Sequence, residues 1–88
     1  MLYFHFMTQY NIQFFFQNAT RIALAYKFNS PEPGFYLIYF GNPDIKEEFG
    51  EKIFFTTDGI YINSVAATTK NSAELFQALS QAIGNFKE

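Results

Sequence analysis

The sequence predicts an α+β fold, a mostly antiparallel sheet of about four to five strands with one C-terminal helix packed on one face. Three observations carry this. Apolar residues recur at every second position through the first third of the chain, which is strand spacing. Turn-forming residues break the pattern at Asn18, from Asn29 to Gly34, and at Asp58-Gly59. The last apolar residues recur at helical spacing behind a capping sequence.

The first run places Leu2, Phe4, Phe6, Tyr10, Ile12, Phe14 and Phe16 on even positions, with Thr8 interrupting the row. Its odd positions are mostly polar, so one face is expected to be buried. Strands usually run about 3–10 residues, so a bend, bulge or break is expected near Thr8-Gln9. Asn18-Ala19-Thr20 reads as a turn. It also matches a glycosylation sequon, but the apolar N-terminus has no basic segment and does not read as a secretion signal.

The second run sets Ile22, Leu24, Tyr26 and Phe28 against Ala23, Ala25 and Lys27. Pro31, Pro33 and Gly34 then end it, because proline cannot donate to a ladder. Phe35 to Phe40 is apolar at every position and is expected at the centre of the sheet. A short helical turn is expected near 43–49, with Asn42 as cap, Pro43 at the first position and Gly50 as stop. Lys52 to Thr57 and Ile60 to Ser64 flank Asp58-Gly59 as a hairpin. Val65 to Lys70 reads as a polar connection. A helix is expected over about 72–86, with Asn71 and Glu74 forming a capping box and Leu75, Phe76, Leu79, Ala82, Ile83 and Phe86 forming its apolar stripe. Residues 1–88 are read as one domain. Its core is expected to bury Leu24, Leu37, Phe55, Leu75, Leu79 and Ile83 together.

Composition narrows the function classes. Aromatics make up 22% of the chain, which supplies a small core with much apolar surface per residue. There is no cysteine, so neither a disulfide nor a thiolate metal site can form. The formal charge is -2 and the six basic residues are spread out, which argues against a phosphate-binding stripe. No run approaches the roughly 20 apolar residues of a membrane helix, so a soluble, cytoplasmic protein is expected.

Candidate chemistry is sparse. His5 is the one histidine, and it can build neither a catalytic triad nor a multi-histidine metal site alone. Asp44, Glu47, Glu48 and Glu51 form an acidic group whose spacing matches no calcium loop; it reads as an acidic rim on a protein interface. Ser64, Ser72 and Ser80 lack the glycine context of a nucleophile elbow, and Ser72 is assigned to the helix start. No enzyme activity, metal or cofactor is expected.

One helix covers one face of a sheet, yet Phe35 to Phe40 is apolar on both. The sequence therefore predicts a non-catalytic protein–protein interaction module of inhibitor, adaptor or scaffold type. It is expected to form a homodimer, and to meet an unidentified protein partner, through an aromatic sheet face comprising Phe15, Tyr36, Ile38, Phe40 and Tyr61. Edge-to-edge pairing of sheets, with Leu2 to Phe6 reaching across, is a second arrangement that the sequence allows. The alternative function is single-stranded nucleic-acid binding by base stacking on Tyr3, Phe15, Tyr36 and Tyr61, but only Lys27 and Lys52 are placed to help it.

Overall fold

The computed structural model describes residues 7–28 and 35–84. Its chain order is β1 (Met7–Phe16), β2 (Ala19–Phe28), β3 (Phe35–Phe40), α1 (Pro43–Phe49), β4 (Lys52–Thr56), β5 (Gly59–Ile62), β6 (Val65–Ala66) and α2 (Lys70–Gly84). The six strands form one antiparallel meander in sequence order, with α2 on one face. The architecture is the expected α+β one, with one strand more than the upper count. The addition is β6, where a connection was expected. Asn63 and Ser64 adopt positive φ of 52° and 69°, which closes a two-residue hairpin and turns Val65–Ala66 back onto β5.

Strand β1 pairs with β2 from Met7↔Phe28 to Phe16↔Ala19 without interruption. The break expected near Thr8-Gln9 is absent from this register. The expected reach of Leu2 to Phe6 and the site of His5 lie outside the described residues. The turn occupies Gln17-Asn18, both with positive φ (53° and 62°), not Asn18-Ala19-Thr20. A three-residue turn there would set Gln17 opposite Arg21. The actual turn sets Phe16 opposite Ala19, and this one-residue difference exchanges the two faces of β2.

The helix-facing side of the sheet consequently carries Ile12, Phe14 and Phe16 from β1, and Ala23 and Ala25 from β2. Ile38 and Phe40 come from β3, Ile53 and Phe55 from β4, and Ile60 from β5. Leu75, Leu79 and Ala82 of α2 close the core from above. Leu24 and Leu37, expected in this core, lie on the opposite face. The physical reason is volume. Across the sheet the inner rows read Ile12–Ala23–Phe40 and Tyr10–Ala25–Ile38, so a small residue on β2 sits between large neighbours. Phe14 meets Phe40 edge-on with ring centroids 6.2 Å apart, and Phe55 stacks on Phe76 at 5.4 Å. Phe55, Leu75, Leu79 and Ile83 are in or against the core as expected.

Helix α2 begins two residues earlier than expected, and its cap is Thr69 rather than Asn71. The Thr69 hydroxyl accepts from the Ser72 N–H at 3.1 Å, and the Ser72 hydroxyl donates to the Thr69 carbonyl at 2.7 Å. Asn71 instead donates to Glu48 at 2.8 Å and joins the two helices. Helix α1 follows the expected limits. Asn42 stands at its N-cap, but its side chain makes no cap bond. The first turn is served by Asp44, whose carboxylate accepts from the Ile45 N–H at 2.9 Å. Gly50 stops the helix at φ 94°. The β4–β5 turn falls on Thr57-Asp58, one residue before the expected pair, with Gly59 opening β5 opposite Thr56.

Leu79, on the inner side of α2, is fully buried. Leu79→Ala should cost about 2–5 kcal/mol, the range for a deleted leucine in a packed core. Chemical denaturation reads it directly, and an unchanged midpoint would refute the docking of α2.

Candidate interaction surface

The face of the sheet away from α2 is built by the same alternation that builds the core. One row across it runs Gln9–Tyr26–Leu37–Phe54–Tyr61, and the next runs Asn11–Leu24–Tyr39–Lys52. Ile22, Phe28 and Phe35 extend the surface along the strands, and Phe15 stands at its margin. Phe15, Ile22 and Phe54 are 65%, 62% and 39% exposed. Leu24, Tyr26, Leu37 and Tyr39 line a shallow trough of about 290 Å³.

The rings are held by one another. Tyr26 and Tyr39 meet edge-on at 5.8 Å, Phe28 and Phe54 at 6.0 Å, and Phe35 lies tilted against Phe54 at 6.3 Å. Side chains already locked in place lose little rotamer freedom when a partner covers them. Neutral amides Gln9, Asn11 and Gln13 border the surface on β1, and among the described residues its one charge is Lys52, on β4. An apolar centre with a polar margin is the anatomy of a protein interface.

Phe15 and Tyr61 lie on this open face as expected. Tyr36, Ile38 and Phe40 do not. Ile38 and Phe40 are buried beneath the helix, and Tyr36 packs edge-on against Phe55 at 5.9 Å. Lys27 shares the helix side with Tyr36. The expected base-stacking set is therefore divided between two faces, with Tyr3 outside the described residues. The sequence reading missed Ile22, Leu24, Tyr26, Leu37, Tyr39 and Phe54. The signal was Asn18, which tolerates positive φ and could have closed the shorter turn with Gln17.

No family model, curated protein or solved structure matches this chain.

The acidic residues divide in the same manner. Asp44 receives Arg21 Nη1 through both carboxylate oxygens, at 2.8 and 2.9 Å. Arg21 is buried and also donates from Nε to the Phe16 carbonyl at 3.1 Å. This one side chain ties the end of the first hairpin to α1, beside the edge-on contact of Phe16 and Phe49 at 6.2 Å. Glu48 accepts from Asn71, while Glu47 and Glu51 are exposed. Among the described residues no cluster of acidic or histidine groups is arranged to hold a metal ion.

The Arg21 hydrogen bonds hold the Asp44 carboxyl below the usual aspartate value. A carboxyl whose folded pKa is depressed adds stability above its unfolded pKa, and that contribution fades as pH falls through the folded value. Stability should therefore drop on acidification below about pH 4. Asp44→Asn should flatten that limb in denaturation midpoints measured from pH 7 downward. A limb of unchanged steepness would show that the pair does not couple to folding.

Proposed function

We propose that this protein is a small non-catalytic interaction module that self-associates through its open sheet face and serves another protein as inhibitor, adaptor or scaffold. The observation that carries the reading is the uncovered apolar surface running across β2 to β5. From Ile22 to Phe28 it extends roughly 20 Å along the strands, at about 3.4 Å per residue, and four strands at about 4.8 Å spacing give it a comparable width. Its plane alone approaches a few hundred Å², the size at which an exposed apolar patch marks an interaction site.

The first occupant is a second copy of the chain. A two-fold contact sets each patch against itself, so a patch dense in one charge would repel its own image. This one carries only Lys52, at its side, and can meet itself without that cost. The non-catalytic part of the reading is supported by the buried polar side chains. Arg21, Thr56 and Ser72 are each engaged in bonds that hold α1, the β4–β5 turn and the start of α2. No described helix is long and apolar enough to cross a membrane. A cytoplasmic location is retained from the sequence as part of the proposal.

Light scattering at micromolar concentration tests self-association. The wild-type mass should exceed the 10.2 kDa of one chain. Leu24→Glu with Tyr39→Glu should halve it while leaving the circular dichroism intact, because both side chains lie outside the core. A mass unchanged by these substitutions would sink the face as an interface. Ile38→Glu would instead charge the core and unfold the chain.

The nucleic-acid alternative has its own readout. Labelled single-stranded oligonucleotides should not bind at low salt. Salt-sensitive micromolar binding, weakened by about 1–3 kcal/mol in Tyr26→Ala, would assign the face to base stacking instead.

A further inference from the structure

The sheet has two edges, and they are unlike. The β6 edge is two residues long, Val65–Ala66. The β1 edge is ten residues long, Met7–Phe16, and among the described residues no strand pairs with its outer side. Strand edges that must stay single are usually protected by charge, proline, a bulge or shortness. β6 is protected by shortness. β1, with the sequence Met-Thr-Gln-Tyr-Asn-Ile-Gln-Phe-Phe-Phe, has no charge, no proline and no glycine, and it pairs with β2 without a bulge.

The register states which peptide groups face outward. Phe16↔Ala19 closes a two-residue turn, so it is a hydrogen-bonded pair, and such pairs alternate along an antiparallel ladder. Phe14↔Arg21, Ile12↔Ala23 and Tyr10↔Ala25 follow in phase. The N–H and C=O groups of Gln9, Asn11, Gln13 and Phe15 therefore point away from β2. Their side chains stand on the open face, so Gln9, Asn11 and Gln13 line the edge with neutral amides able both to donate and to accept.

We propose that β1 is a second self-association site, where two copies pair antiparallel, β1 against β1, to make one continuous sheet. The register that pairs every outward-facing residue of β1, from Met7 to Phe15, centres Asn11 on a two-fold axis perpendicular to the sheet. It sets Gln9 opposite the partner's Gln13 and joins the outward peptide groups of both strands. Facing residues in a ladder share a face, so both α2 helices lie on one side and both apolar surfaces on the other. The edge and the face are separate surfaces, and each is tested without the other. Used together they close a four-copy assembly, two continuous sheets packed face to face.

The test exploits proline's missing donor. Gln13→Pro removes an outward N–H and leaves the β1–β2 bonds in place, as proline is tolerated at such positions of edge strands. Light scattering should show the mass halved by Gln13→Pro, and halved again when Leu24→Glu and Tyr39→Glu are added. A mass unchanged by Gln13→Pro in a folded chain overturns the edge, whatever the face variants do. A charge pair fixes the register. Gln9→Lys with Gln13→Lys places like charges opposite one another and should raise the dissociation constant at least tenfold. Gln9→Glu with Gln13→Lys places opposite charges there and should restore assembly. Equal masses for these two variants would overturn the proposed register.

Discussion

Everything the sheet presents depends on a turn of two residues. Gln17 and Asn18 both take positive φ, and the hairpin they close sets even residues of β1 opposite odd residues of β2. The ladder carries that parity from strand to strand, so it decides the composition of both faces. Neither residue is glycine, and glutamine has no particular liking for this conformation. The turn is held there by what it permits: Ile12, Phe14 and Phe16 face the helix, and Arg21 reaches α1. A hairpin longer by one residue would put Leu24 and Tyr26 under α2 beside those same β1 side chains, with far more volume than Ala23 and Ala25 occupy. Packing at crystal-like density leaves no space for that excess.

This is also where the sequence was and was not legible. Element types followed from local signals. The stripe from Leu75 to Ile83, the proline at position 43 and the run Phe35 to Phe40 each point to one structure, and the chain adopts it. Face assignment is a different kind of quantity, because it needs the parity of a turn. β1 was assigned correctly, since the amides Gln9, Asn11 and Gln13 mark its outward side. β2 and β3 were not, because both of their faces are apolar and bulk was the remaining guide. Bulk misleads when the core is already filled by neighbours. The candidate surface was thus legible as a necessity, an apolar face left over after one helix is placed, but its residues were not.

The distribution of charge joins the core to the surfaces. Charged residues make up 16% of the chain, against about 25% in an ordinary globular domain. Those described lie largely on α1, at turns and on the wet side of α2. Of the charges on the sheet, Arg21 and Lys27 stand on the helix side, and Arg21 is consumed by Asp44 and the Phe16 carbonyl. The result is a molecule with one charged flank and two surfaces poor in charge, the open face with Lys52 alone among its described residues and the β1 edge with none. A chain that kept both of these in water would be expected to place charge on them, since charge keeps apolar surfaces and strand edges from associating.

The open face and the β1 edge differ in how they would bind. The open face offers area without direction: dispersion and apolar burial act wherever two such patches touch, and shape alone sets their alignment. The β1 edge offers direction with little area, because each peptide group must find its partner at about 2.9 Å and near linearity. A continuous sheet made by the edge would fix the spacing and orientation of two apolar patches before they meet anything else. The patches would then act as one surface, and joining two weak sites rigidly raises their combined affinity without any new contact. Edge pairing is therefore the step that would turn a modest face into a specific one, and the neutral amides of Gln9, Asn11 and Gln13 stand at the junction of the two.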